Sequence, residues 1–255
     1  MKILSALSLI SITWIVCFAT AALGEESETE LVSSGSTLEE DPMDYEEEIE
    51  EDAISDPIES VNRVLFGFND KLYFWVLKPV AVGYGKVLPE PARRGVRNFF
   101  SNVATPVRLV NCALQGNLKG AGIEVSRFAV NTTAGVAGFS DPAQKHHGWK
   151  KRREDFGQTL GRYGLGEAFY INWPILGPSN PRDTVGLVGD FFLDPVNYVF
   201  AHMPTRLGVK VYDKVNGTSL SIGAYEDLKE ASIDPYVAVR DAYHQHRQYL
   251  VEDID

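Results

Sequence analysis

Cysteine is almost missing from this chain: Cys17 and Cys112 are the only two among 255 residues. Cys17 lies in an N-terminal segment that reads as an export signal, so the exported protein keeps Cys112 alone and an intramolecular disulfide is excluded. Cys112 sits in Val107-Arg108-Leu109-Val110-Asn111-Cys112-Ala113-Leu114, where a small buried hydrophobe is expected rather than a reactive thiol. Stability is left to packing.

Signatures of catalysis are missing as well. No Gly-x-Ser-x-Gly elbow occurs, which argues against a lipase of the common kind. Gly161-Arg162-Tyr163-Gly164-Leu165-Gly166 has the wrong spacing for a dinucleotide loop and no strand-then-helix frame around it. His146-His147, on a loop with Asp141 and Asp155 near in sequence, lack the i, i+4 geometry of a strong site, so no metal is expected.

Positive charge is absent from one long stretch. Fifteen Asp and Glu fall between Glu25 and Asp56 without a single Lys or Arg, while from Pro57 onward twenty acidic residues face twenty-three basic ones. The formal net charge of −11 therefore belongs to a tail, and the remainder is slightly basic. That basicity is too small for a nucleic-acid partner. Few apolar residues interrupt Glu25 to Ala53, the composition of a solvated linker.

What is present begins with Lys2, an apolar run from Ile3 to about Ala22, and small Ala22 and Gly24 at the −3 and −1 positions of a signal-peptidase site. The reading is a signal peptide over 1–24, an acidic linker over 25–55 and one helical domain over 56–255. Asp-Pro recurs at 56–57, 141–142, 194–195 and 234–235, each a helix start with Asp as cap and Pro in the first turn. Val61, Val64, Leu65, Phe68, Leu72, Trp75 and Val76 form a helical stripe, yet Phe66, Tyr73, Phe74 and Leu77 lie off it. Two apolar contacts are needed, either protein on both sides or protein and lipid. Further helices are predicted at about 92–100, 106–115, 118–132, 182–192, 206–219 and 235–252. In the last, Tyr236, Val239, Tyr243, His246 and Leu250 share the packing face, with Asp241, Gln245 and Arg247 off it. Between Gly157 and Pro181 the helical period fails, and Phe169-Tyr170-Ile171-Asn172-Trp173 predicts an irregular hairpin.

The densest block is Glu154-Asp155-Phe156-Gly157-Gln158-Thr159-Leu160-Gly161-Arg162-Tyr163-Gly164, running on through Pro174-Ile175-Leu176-Gly177-Pro178-Ser179 to Arg182-Asp183. With it go Asp56-Pro57-Ile58-Glu59, Asn62-Arg63, Phe66-Gly67-Phe68-Asn69, Lys78-Pro79-Val80-Ala81, Pro89-Glu90-Pro91-Ala92-Arg93, Asn98-Phe99, Leu114-Gln115-Gly116, Arg127-Phe128, Asn131-Thr132, and Asp234-Pro235-Tyr236 with Arg240. In this order the chain resembles the MlaA/VacJ family, the outer-membrane component of a Gram-negative system that maintains lipid asymmetry. The resemblance implies a mostly α, ring-like bundle of amphipathic helices with an irregular hairpin, lying in the periplasmic leaflet of the outer membrane around a central amphipathic channel. It implies a transport component and not an enzyme, with phospholipid as transported ligand, no cofactor, and a trimeric porin and a periplasmic lipid carrier as partners.

On that reading Phe66, Phe68, Asn69, Phe156, Arg162, Tyr163, Tyr170, Asn172 and Arg182 are offered for the channel, aromatic groups beside acyl chains and polar ones beside phosphate or ester oxygens. Trp149 with Lys150, Lys151, Arg152 and Arg153 is offered for headgroups at the membrane surface, partly cancelled by Glu154-Asp155. Gly67 is singled out as a position tuning the ring, since glycine costs about 1 kcal/mol relative to alanine inside a helix. One departure stands out. Typical family members carry a lipidated Cys after a Leu-Ala-Gly-like box, but Cys17 follows Trp14-Ile15-Val16 inside the apolar run, so lipidation there is not expected. The competing reading is a soluble periplasmic interaction protein with no lipid channel.

Overall fold

A computed structural model describes residues 54–200 and 202–252; the expected signal, Cys17 and the linker up to Ala53 lie outside them. Helix α1 (Glu59–Leu72) runs through a π turn (Tyr73–Leu77) into α2 (Lys78–Val87), with right-handed helical backbone at both joints. The π turn has a local cause. Pro79 has no N–H to give the Trp75 carbonyl, and one residue earlier the Lys78 N–H bonds five residues back, to the Tyr73 carbonyl.

Next come α3 (Glu90–Val103), α4 (Thr105–Leu114), α5 (Leu118–Thr133), α6 (Pro142–His147) and α7 (Phe156–Arg162). A two-stranded antiparallel hairpin follows, β1 (Ile171–Trp173) and β2 (Gly177–Ser179), with Ile171 opposite Ser179 and Trp173 opposite Gly177. The chain ends in α8 (Pro181–Leu193), α9 (Val196–Val199), α10 (Met203–Leu220), α11 (Ala224–Ala231) and α12 (Pro235–Glu252).

Caps set several of these starts. The Asp141 carboxylate accepts from Gln144 N at 3.1 Å, Asp155 from Gln158 N at 2.8 Å, and Asn180 from Asp183 N at 2.7 Å with Pro181 next in the chain. Asp234 accepts from Tyr236 N at 3.0 Å and Asp194 from Val196 N at 2.9 Å. The first Asp-Pro behaves otherwise: α1 has no side-chain cap, and Asp56 instead accepts from the Asn62 amide at 2.8 Å.

Two expectations are corrected. The segment after Gly157 is not irregular from its start, because Phe156–Arg162 is helical; only from Ile171 does the chain turn to strand. His146 and His147 close the short helix α6 rather than lying in a loop.

Packing runs in a circuit. α1 packs on β1, β1 pairs with β2, β2 meets α12, α12 meets α7, and α7 crosses α8. From there α8 meets α4, α4 meets α3, α3 meets α10, and α10 packs on α2, which leads back to α1 through the π turn. Among the described residues the buried apolar cluster is three tyrosines, Tyr170, Tyr236 and Tyr243, with Ile54, Phe66 and Val237 against them.

Candidate functional site

Helix α8 shows the principle of this molecule most clearly. Arg182, Asp183, Gly186 and Asp190 are buried, whereas Val185, Val188 and Phe192 are exposed, the last at 62 %. The apolar stripe at i, i+3 and i+7 faces outward and the charged one inward, the reverse of a helix on a water-soluble core. Helix α5 repeats it, with Glu124, Arg127 and Asn131 buried and Leu118, Val125 and Phe128 exposed.

In α1 the buried residue is Asn62, at 0 % exposure, while Val61, Val64 and Phe68 look out. Trp75 and Val76 extend that outward face through the π turn, Trp75 at 75 %. Of the two apolar faces of α1, the regular stripe is thus largely the exposed one. The off-stripe aromatics turn to protein: Phe66 meets Tyr236 edge-on at 5.8 Å, and Tyr73 meets Tyr225 at 5.0 Å.

The interior is held by charges that sequence reading did not anticipate. Arg247, assigned to the outer side of α12, is 2 % exposed and donates to Asp155 at 2.6 and 3.0 Å and to Asp183 at 2.8 Å. Tyr243 donates to Asp183 at 2.5 Å, joining α12 to α8. Burial pushes the Asp155 carboxyl up, but Arg247 beside it prevails and holds it below the usual carboxylate range. Asp190 has no such partner. It accepts from Asn111 at 3.0 Å and Phe156 N at 3.1 Å, and burial, then the neighbouring Asp155 charge, push it up to about 8.

A second network holds the 149–153 loop. Glu124, fully buried, accepts from Arg108 at 2.7 Å and from the Arg152 backbone N–H at 2.8 Å. Arg127 donates to the Trp149 carbonyl and to Asp141 at 2.7 Å.

Glycine at two crossings explains part of the dense block. A Cβ on Gly186 would come within 2.4 Å of Gly157 N, and one on Gly157 within 2.5 Å of an Asp183 carboxylate oxygen. These residues let α7 and α8 touch backbone to backbone. Gly67, by contrast, has nothing within 4 Å of the position a Cβ would take, so no steric need for glycine exists there.

The residues offered for the channel divide. Asn69, Tyr170, Asn172 and Arg182 serve the protein itself. Asn69 clips the hairpin turn, donating to the Trp173 carbonyl at 2.8 Å and accepting from Ile175 N at 2.6 Å. The Asn172 backbone N–H donates to the Asn62 side-chain oxygen at 2.8 Å, and the Asn172 amide, turned to satisfy both ends, accepts from Phe66 N at 3.1 Å and donates to the Gly177 carbonyl at 3.2 Å. Tyr170 belongs to the tyrosine cluster, and Arg182 lies against Asp183 at 3.0 Å and Glu167 at 3.2 Å. Phe66, Phe156 and Arg162 are half-buried, while Phe68 and Tyr163 are exposed. Tyr163 donates to the Leu114 carbonyl at 2.5 Å.

Among the headgroup candidates, Lys150 and Lys151 are exposed and Trp149, Arg152 and Arg153 half-buried, Trp149 stacking on His147 at 4.5 Å. Glu154 and Asp155, which follow this loop, are both buried, and Asp155 pairs with Arg247. The residues missed, Arg108, Glu124, Asp190 and Arg247, carried one signal: charged side chains at helical spacing inside otherwise apolar helices.

Apolar groups outward and ion pairs inward define a helical protein built to meet an apolar medium. No helix among the described residues is long and apolar enough to cross a membrane. The family model described as MlaA lipoprotein matches residues 54–250, and the chain belongs to the MlaA family. It is 36% identical over 200 residues to an uncharacterized protein of Rickettsia felis, covering 78% of this chain and 79% of the relative. With the intermembrane phospholipid transport system lipoprotein MlaA of Escherichia coli it shares 34% identity, covering 77% of this chain and 78% of that one. A solved structure described as the structural basis for maintenance of bacterial outer membrane lipid asymmetry superposes with a TM-score of 0.68 at 33% identity, covering 78% of this chain and all of that one.

Proposed function

We propose that this chain is the phospholipid-binding outer-membrane component of an intermembrane lipid transport system, and that it removes mislocalised phospholipid from the outer leaflet to keep the two leaflets different. The observation that carries this is the inversion of burial along α1, α5 and α8, where Val64, Trp75, Val125, Val185, Val188 and Phe192 face out over interior ion pairs. Each such side chain gains about 1.5–3 kcal/mol on leaving water for an apolar phase, so the outer surface is suited to a lipid leaflet and not to periplasmic water.

In this reading the circuit of helices sits within the periplasmic leaflet, around a polar passage that spares a headgroup contact with hydrocarbon. Tyr163 and Arg162 are the channel candidates carried forward, because they keep some surface; Phe68, on the outward stripe of α1, is assigned to the lipid-facing side, and Trp149 and Lys150 are carried forward for contact with headgroups outside the channel. The transported ligand is phospholipid and no covalent step is involved. A trimeric porin and a periplasmic lipid carrier are the proposed partners.

The test is native mass spectrometry with lipid extraction on the full chain, expressed with its own leader and purified from isolated outer membranes. Near-stoichiometric phospholipid is the expected result. Recovery as a lipid-free soluble periplasmic protein would overturn the proposal and leave the interaction-protein reading standing.

A further inference from the structure

A cavity of about 240 Å³ lies between the segment that leads into the hairpin and helix α12. Buried Tyr170 and Tyr243 are part of its lining, their ring centroids 6.2 Å apart. The Tyr243 hydroxyl is already given to Asp183 at 2.5 Å, which fixes that ring. Glu167, Phe169 and His244, all half-buried, line the cavity too, and exposed Gln248 borders it from α12.

Among the described residues that line it, Glu167 is the one carboxylate, and there is no Lys or Arg. The carboxylate is held in place, since Arg182 donates to one oxygen at 3.2 Å and His244 Nδ1 to the other at 2.7 Å. A carboxylate offers about four lone-pair sites, so one bond on each oxygen leaves room for a further donor. Arg182 stands behind Glu167, its guanidinium also bonded to Asp183 at 3.0 Å. A phosphate entering here would meet a carboxylate, whereas a cation would meet that carboxylate and aromatic walls.

The backbone that carries Glu167 and Phe169 is strained. Phe169 N–H donates to the Glu167 carbonyl at 3.0 Å across Ala168, which sits at φ 65°. A three-residue turn with positive φ at a residue bearing a Cβ is uncommon and costly. The next residue secures it, because Tyr170 N–H donates to the Ser55 carbonyl at 2.8 Å. Strain of this kind persists where a fixed geometry serves a ligand.

We propose that this cavity takes the primary ammonium of an aminophospholipid headgroup, with Glu167 accepting its N–H bonds and Phe169, Tyr170 and Tyr243 supplying ring surface around the charge. This rests on the lipid-transport reading above and adds the headgroup class. At about 240 Å³ the cavity is smaller than the roughly 300–1,000 Å³ of pockets that enclose drug-sized ligands, so it holds a headgroup and leaves the acyl chains outside.

The experiment compares wild type, Glu167→Gln, Gln248→Arg, which sets a cation at the border of the cavity, and Glu230→Gln on the exposed surface of α11 as a control for charge alone. Each full chain is purified from outer membranes and its co-purified phospholipid counted. After delipidation it is titrated with short-chain phosphatidylethanolamine and short-chain phosphatidylglycerol, both below their micelle concentrations, and separately with free ethanolamine. Melting temperature in detergent checks folding; should Glu167→Gln melt early, Gln248→Arg decides, because its side chain is exposed and leaves the bonds of Glu167 to Arg182 and His244 in place.

The expected result is a wild-type preference for the ethanolamine lipid over the glycerol lipid of about tenfold, kept in Glu230→Gln and abolished in the other two variants. Equal affinity for the two lipids in wild type, or an unchanged preference in the folded variants, would overturn the pocket while co-purified phospholipid left transport standing. Free ethanolamine bound as tightly as its lipid, and lost in the same variants, would make this a site for a soluble amine and overturn the lipid assignment. A wild type that neither carries nor binds phospholipid would sink both proposals.

Discussion

Asn69 illustrates what a single side chain does here. One amide satisfies both a donor and an acceptor of the hairpin turn, and it does so beside Ile175, a β-branched residue held at φ 70°. Asn69→Ala leaves both backbone groups without their partner, and chemical unfolding in detergent should show a loss of about 1–3 kcal/mol. Asp190 gives a pH-dependent case. Its folded pKa of about 8 stands above the ordinary 3.8, so its neutral form favours the fold; that contribution is whole below about pH 4 and is lost as pH rises towards 8. Asn keeps an acceptor for Asn111 and Phe156 N without the charge. Asp190→Asn should therefore melt near wild type at pH 4 and above it at pH 8, and a wild-type advantage at pH 8 would contradict this account. Neither role was legible beforehand: Asn69 was read as a lipid contact and Asp190 not at all, because the partners of both lie far away in the chain.

At the scale of elements, glycine separates into two kinds that sequence alone cannot tell apart. Gly157 and Gly186 mark a backbone contact between α7 and α8, whereas Gly67 faces open space. Gly186→Ala must push the two helices apart and should cost about 1–3 kcal/mol or more. Gly67→Ala should instead stabilise by about 0.5–1 kcal/mol, read as a rise in melting temperature. The long helices were legible because period and caps agree: Asn180 with Pro181, and Asp234 with Pro235, start α8 and α12 where the residues said they would. α7 was missed because Gly157 and Gly161 weaken helix propensity over only seven residues, and tertiary contact with α8 supplies what propensity lacks.

For the whole molecule, the decisive property is which face of each helix points inward. If α8 presents Val185, Val188 and Phe192 to lipid, then converting all three to Ser should leave the melting temperature in detergent little changed. The same variant should shift protein from the membrane fraction to the soluble one on carbonate extraction; retention equal to wild type would count against lipid contact at this face. Sequence by itself determined the helical class, most helix starts and the family, since these follow from local spacing and ordered motifs. It also determined that α1 has two apolar faces, though not which one meets protein. Only the tertiary structure decided that the regular stripe of Val61, Val64 and Phe68 faces out while Asn62 is buried, and that Arg247, Asp155 and Asp183 meet at the centre. The physical reason is that helical periodicity separates an apolar face from a polar one without saying which is inside. That choice depends on whether buried charges find partners, and those partners come from helices up to 92 residues apart, as Arg247 and Asp155 do.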